Sequence, residues 1–167
     1  MVVYGGKGPG EVLENENLYI FDMSKGEDKS IWMIIPTVGP NPGKRYGHSL
    51  NFISPYVVLF GGNNGNRRLN DVWIFSISVT PFSWSKLDFK DDIPSPRDFH
   101  STSECHIQNR SSMIIVFGGR SKDKASENEL WGLRRNQKGK WKWIKEKSQT
   151  LQNPLLNKRY KVILIID

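Results

Sequence analysis

Val57-Val58-Leu59-Phe60-Gly61-Gly62 sets the architecture, because it recurs as Val2-Val3-Tyr4-Gly5-Gly6 and as Met113-Ile114-Ile115-Val116-Phe117-Gly118-Gly119. The second glycines stand 56 and 57 residues apart, so a unit of nearly fixed length is repeated. After each Gly-Gly pair comes a polar loop and then an aromatic residue, at Tyr19, Trp73 and Trp131, with offsets of 13, 11 and 12. A further tryptophan follows at Trp32, Trp84 and Trp141 or Trp143. A third element closes the unit: Arg45-Tyr46-Gly47-His48-Ser49 and Arg97-Asp98-Phe99-His100-Ser101, preceded by Pro42 and Pro96. The next copy begins as Arg159-Tyr160 and then departs, with Lys161-Val162 where a small residue and His are expected.

Within each unit, β-branched and aromatic runs are bounded by Gly, Pro, Asn and Ser, the pattern of strands and turns. Strands are expected near 48–53, 56–61, 71–77 and 83–88, and again near 100–107, 113–118, 129–134 and 140–145. Four short strands per unit of about 50 residues read as propeller blades. The expected fold class is therefore all-β, about three four-stranded antiparallel blades forming an incomplete propeller. The units run roughly over 1–44, 45–96 and 97–158, with 159–167 as the start of a further strand.

The geometry assigns structural work to most repeated residues. A Gly pair after a buried strand lets the chain turn with φ > 0 where a Cβ would clash, which covers Gly5, Gly6, Gly61, Gly62, Gly118 and Gly119. The aromatics are expected to bury flat faces between neighbouring blades. His48 and His100 recur at one repeat position, so they read as hydrogen-bonded structural residues and not as a metal pair. Arg45 and Arg97 lie on loops entering the innermost strands, where a guanidinium fork either holds the loop backbone or faces the central cavity.

These residues, an apolar strand, Gly-Gly, loop, aromatic, Trp and then Pro-x-Arg-x-x-His, resemble the kelch repeat. A closer resemblance spans Asn70 to Tyr160. Asn-Asp-Val-Trp, Pro-Phe-Ser-Trp-Ser-Lys-Leu, Gly-Gly-Arg, Trp-Gly-Leu, Gly-Lys-Trp-Lys-Trp and Arg-Tyr occur there in the order found in serine/threonine protein phosphatases with kelch-like domains. In that family the propeller precedes a metal-dependent phosphatase domain marked by Gly-Asp-x-His, Gly-Asp-x-x-Asp-Arg-Gly and Gly-Asn-His-Glu. None of these strings occurs here, and two-metal hydrolysis needs such clustered ligands. The resemblance thus implies an accessory module, with no catalytic residue, no metal and no cofactor of its own, in a parent protein that carries the phosphatase. The alternative is a general kelch adaptor or scaffold, delivering substrates to a ubiquitin ligase or organising cytoskeletal proteins. A kelch-type copper oxidase would need a cysteine cross-linked to tyrosine, and Cys105 reads instead as a small core residue, with His106 pointing to the opposite face.

Charge and composition narrow the partners. Net charge is +7, placed unevenly: residues 1–119 hold 11 Lys+Arg against 12 Asp+Glu, and 120–167 hold 13 against 5. The longest apolar runs, such as Val162–Ile166, fall far short of a membrane-spanning helix, and the start has no secretory pattern, so no membrane partner is expected. A single cysteine fits a reducing compartment, cytoplasm or nucleus. Loops between strands 2 and 3, and between strand 4 and the next strand 1, should emerge on one face. That face gathers Lys7, Asn63, Asn64, Arg67, Arg68, Arg120, Lys122 and Lys124, with Lys44, Arg45 and Arg97 from the other loops. A basic recessed surface suits acidic or phosphorylated protein segments.

Two further expectations concern the end of the chain. Lys140-Trp141-Lys142-Trp143-Ile144-Lys145 has the aromatic and basic interleaving of a nucleic-acid binder, but period-2 alternation sends both tryptophans into the sheet packing. It reads as an outer edge strand whose lysines discourage further pairing, and no specific nucleic-acid partner is expected. The chain opens at strand 2 of a blade and ends on one extra strand, Tyr160–Ile166. Two copies arranged head to tail would therefore complete each other, giving a homodimer of six blades, unless the chain is half of a longer propeller.

Overall fold

The computed structural model describes residues 1–145 apart from Val12, Lys25, 106–111 and 122–128. It contains eleven strands: β1 (Val2–Tyr4), β2 (Leu18–Asp22), β3 (Ile31–Ile35), β4 (Ser49–Ile53), β5 (Tyr56–Phe60), β6 (Val72–Ser76), β7 (Trp84–Leu87), β8 (Ser101–Cys105), β9 (Met113–Phe117), β10 (Leu130–Arg135) and β11 (Trp141–Lys145). Among the described residues, only single turns of 3-10 helix, at Pro9–Glu11 and Glu27–Lys29, interrupt them. Strand positions read from the repeat agree with these within two residues. The terminal segment 146–167, with the extra strand proposed there, lies outside the described residues, as does His106.

Three antiparallel sheets result, ordered β1-β2-β3, β4-β5-β6-β7 and β8-β9-β10-β11. The first has three strands where the other two have four, since the repeat enters it at the Gly-Gly strand. Each sheet is a blade, because its strands follow chain order and neighbouring sheets pack face to face. In the second blade, register places Leu59 beside Trp73, Val57 beside Phe75, and Phe75 in turn beside Trp84. These residues pack with Tyr4 and Leu18 of the first blade. The opposite face offers Phe60, Val72, Val58 and Ile53 to Val116, Trp131, Ile114, Leu133 and Trp143 of the third. Alternation along each strand thus feeds two cores, one per blade interface.

The same register corrects one expectation. Trp32 sits beside Phe21 as Trp84 sits beside Phe75, with ring centroids 4.9 Å apart, yet Trp32 is 53% exposed whereas Trp84 is 2% exposed. Trp32 and the partly buried Tyr19 lie on the face that the other two blades turn toward a preceding blade, and no described residue covers that face of blade 1. Between the two candidates in the third blade, Trp143 takes the buried repeat position against Phe60, and Trp141 packs edge-on to Tyr56 at 6.0 Å. β11 is the outer strand of its blade, so the Lys-Trp strip is an edge strand as its place as fourth strand implied.

Candidate binding face

The Gly-Gly pairs carry the chain around the end of each blade where the loops of the next blade dock. Gly61 and Gly62 have φ of 65° and 93°, and a Cβ on Gly61 would lie 2.9 Å from the carbonyl oxygen of Arg97. A Cβ on Gly62 would meet the Tyr46 carbonyl and His48 Cβ at 2.8 Å. In place of side chains there are backbone bonds: Gly6 N–H donates to Arg45 O at 2.8 Å and Gly62 N–H to Arg97 O at 2.9 Å. Each blade therefore hands its second strand to the arginine loop of its neighbour.

Both arginines are fully buried. Arg45 Nη1 donates to Gly61 O at 3.0 Å and to Asp71 Oδ1 at 2.8 Å, while its Nη2 donates to Asp71 Oδ2 and to Pro42 O. Arg97 repeats the pattern, with Nη1 on Gly118 O at 3.0 Å, Nη2 on Glu129 Oε2 at 3.1 Å, and Nε on Ser95 O. The acids also receive an indole N–H, Trp73 to Asp71 at 2.7 Å and Trp131 to Glu129 at 3.0 Å. Of the two roles open to Arg45 and Arg97, the structure selects holding the loop backbone, and it removes both from the exposed basic face. Burial would raise Asp71, but the hydrogen bonds and charge of Arg45 outweigh it and hold the carboxyl below its usual range. Burial acts likewise on Glu129, and bonds from Lys145, Trp131 and Arg97 bring it down to about 2.

Sequence reading missed the acids of this clamp, although the signal was present. Asp71-Val72-Trp73 and Glu129-Leu130-Trp131 both place a carboxylate two residues before the repeat tryptophan. In the first blade the corresponding positions are Asn17 and Tyr19, joined by a weaker bond from Asn17 Nδ2 to the Tyr19 hydroxyl at 3.5 Å. His100 Nε2 shares a hydrogen bond with Ser49 Oγ at 2.9 Å, which ties the third blade to the second. Burial first, and the neighbouring arginines second, lower His48 to about 4 and His100 to about 3, so both are neutral near pH 7.

Above this frame the loops form an open face. Asn63 pairs with Tyr46, and Arg120 with Asp98, as isolated bridges at equivalent repeat positions. Asp98 is buried at their centre. It accepts from Arg120 Nε at 2.9 Å and Nη2 at 3.2 Å, and from Asn63 Nδ2 at 3.3 Å. Arg68 Nε adds an ion pair at 3.3 Å without hydrogen-bond alignment. Burial alone would raise Asp98, yet these donors and charges lower it, and Arg120 is raised in turn by its bond to Asp98. Arg67 is exposed beside them, and Asn64 shapes the loop by accepting from the Arg67 and Asn66 N–H groups. Lys122 and Lys124 lie outside the described residues.

Aromatic rings alternate with these cations. Lys7 Nζ lies 5.0 Å from the Tyr46 ring centre, the Tyr46 and Phe99 centroids are 5.9 Å apart, and Arg120 covers Phe99 at 4.4 Å. The row crosses all three blades. Asp98 offsets one of the charges of Arg68 and Arg120, while Glu14 and Glu16 enter the same end on the β1–β2 loop beside Lys7, so the positive excess is local to the arginines of blades 2 and 3. The opposite end differs: a shallow depression lined by Phe52, Ser54, Glu104, Arg135 and Asn136 combines charges of both signs. Among the described residues, no group of His, Cys, Asp and Glu is arranged to hold a metal ion.

The family model of the KLHDC2/KLHL20/DRC7 Kelch-repeats domain matches residues 1–152. Serine/threonine-protein phosphatase BSL2 of Arabidopsis thaliana is 30% identical over 144 residues, which cover 86% of this chain and 14% of that protein. The dynein alpha chain of the flagellar outer arm of Chlamydomonas reinhardtii is 26% identical over 148 residues, 87% of this chain and 3% of its own length. Acyl-CoA-binding domain-containing protein 5 of Arabidopsis thaliana is 31% identical over 91 residues, 54% of this chain and 13% of that protein. The chain thus spans a small part of each of these relatives.

Proposed function

The chain belongs to the kelch-repeat family, a non-catalytic protein-interaction fold, and from that premise we propose that its loop face binds acidic or phosphorylated protein segments. The observation that carries the reading is the pair Arg68 and Arg120 on one buried carboxylate, with the exposed Arg67 next to Arg68 in the chain. Asp98 fixes the Arg120 guanidinium with two hydrogen bonds, draws that of Arg68 alongside and still leaves the cluster positive, so the outward N–H groups are pre-positioned for carboxylate or phosphate oxygens. Arg45 and Arg97 support the face from below without touching a ligand.

In the same reading the chain is the partner-binding part of a serine/threonine phosphatase with kelch-like domains, working in cytoplasm or nucleus. Its likeness to the plant phosphatase over most of its length supports the first point, and its single cysteine the second. A downstream coding sequence with Gly-Asp-x-x-Asp-Arg-Gly would establish the phosphatase; a downstream sequence without it would remove that part.

Charge reversal tests the face without disturbing Asp98. Arg67→Glu combined with Lys7→Glu should weaken binding of a Glu-rich or phosphoserine peptide by about tenfold at low salt, an effect that fades as salt rises. Lys138→Glu, in the exposed turn at the other end, should leave binding unchanged. Equal losses from both ends would reject this face.

A further inference from the structure

We propose that Phe99, stacked under Arg120, is an aromatic anchor that makes the loop face select acidic protein segments carrying an aromatic side chain next to the acid. The inference rests on the basic-face reading and adds to it a residue and a specificity.

Phe99 is unusual in two independent ways. Its φ is 55°, and it is the one non-glycine residue with positive φ among the described residues. The left-handed region is disfavoured for bulky side chains because the Cβ crowds the carbonyl oxygen. The repeat supplies its own control: the equivalent residue one blade earlier is Gly47, with φ of 63°. The loop geometry therefore asks for glycine, and the third blade puts a phenylalanine there. That ring gains little from burial in return, since Phe99 is 55% exposed. A position that is both strained and solvent-facing contributes poorly to folding, which points toward recognition.

Its surroundings define what it would recognise. The Arg120 guanidinium lies 4.4 Å from the ring centre, and Asp98 pins that guanidinium through Nε and Nη2. Tyr46 stands at an angle of 58° on the neighbouring blade. The result is a rigid corner of two rings and a flat cation, with Arg68 across Asp98. An aromatic side chain can stack on such a corner while an adjacent carboxylate reaches the arginine donors. A purely acidic segment would use the arginines alone and leave the exposed ring wet.

Three labelled peptides test this by fluorescence anisotropy: one with glutamates flanking a phenylalanine, one with that phenylalanine replaced by serine, and one with the glutamates replaced by glutamine. The unaltered chain should bind the first about fivefold more tightly than the second, and the third weakest. Phe99→Gly should abolish the fivefold preference, retain the affinity for the serine peptide and melt no lower than the parent. Phe99→Tyr should keep the preference. If the parent binds both glutamate peptides equally, or Phe99→Gly keeps the preference or melts well below the parent, the anchor is refuted while the basic face stands. If the parent binds none of the three, the basic-face reading falls and the anchor with it.

Discussion

Blade 1 and blade 2 carry the same aromatic pattern and reach different degrees of burial. In blade 2, Trp84 lies between Phe75 on its own sheet and Tyr4 of blade 1, with centroids 5.4 Å from each. In blade 1, Trp32 has Phe21 beside it and solvent over the rest. The acid clamp divides in the same way: Arg45, Asp71 and Trp73 lock blade 2, whereas in blade 1 the Tyr19 hydroxyl accepts only neutral amide N–H groups, from Asn15 at 2.8 Å and Asn17 at 3.5 Å. A repeat residue is therefore structural only when a neighbouring blade supplies the other half of its contact.

Breaking the clamp should have the largest effect. Arg97→Ala leaves the Gly118 carbonyl without its donor and Glu129 without its buried cation, so a loss of about 3–5 kcal/mol is expected in urea unfolding. Asn17→Ala, the blade 1 counterpart, should cost under about 1 kcal/mol. Similar losses at both positions would mean that the two blades are held alike.

The tryptophans sharpen the contrast. Trp84→Ala should cost about 3–5 kcal/mol, since it empties a blade interface, while Trp32→Ser should cost less than about 1 kcal/mol and reduce self-association, because it removes an exposed ring from an apolar face. A large loss of melting temperature for Trp32→Ser would show that something covers that face in solution.

A smaller effect follows from the histidines, which sit only in blades 2 and 3. The unfolded chain takes up their protons near pH 6.5, whereas the folded chain resists until about 4 for His48 and about 3 for His100. Stability present above pH 6.5 should thus decline as pH falls through that window, by about 1 kcal/mol for each group near pH 6. Asp71, Asp98 and Glu129, all lowered, act in the same direction at still lower pH. His100→Gln should flatten the decline between pH 6.5 and 4 in urea titrations, and an unchanged slope would contradict the burial of a neutral ring.

The repeat made the blades legible because Gly-Gly and Trp recur at fixed offsets and their physical reasons are local. The clamp was harder to read. Arg45 finds its acid 26 residues away, so its direction depends on sheet register and not on any neighbour in sequence. Strand order alone sends the loops of Lys7, Asn63, Arg68 and Arg120 to one end of the blades, since antiparallel strands force alternate loops to one side; that Arg45 and Arg97 turn inward instead depends on partners distant in sequence. Phe99 stayed hidden within the same motif that revealed His100. Its backbone conformation becomes meaningful only when Gly47 is laid over it and the exposure of the ring is known.

Hydrogen–deuterium exchange with and without a saturating acidic peptide tests the account most directly, because it reports which end of the blades is covered. Protection should appear in the loop from Gly61 to Asp71 and around Arg97–His100, and should be absent from the turns at Ser54-Pro55 and Asn136–Gly139. Protection confined to those turns would contradict the assignment of the loop face as the binding surface.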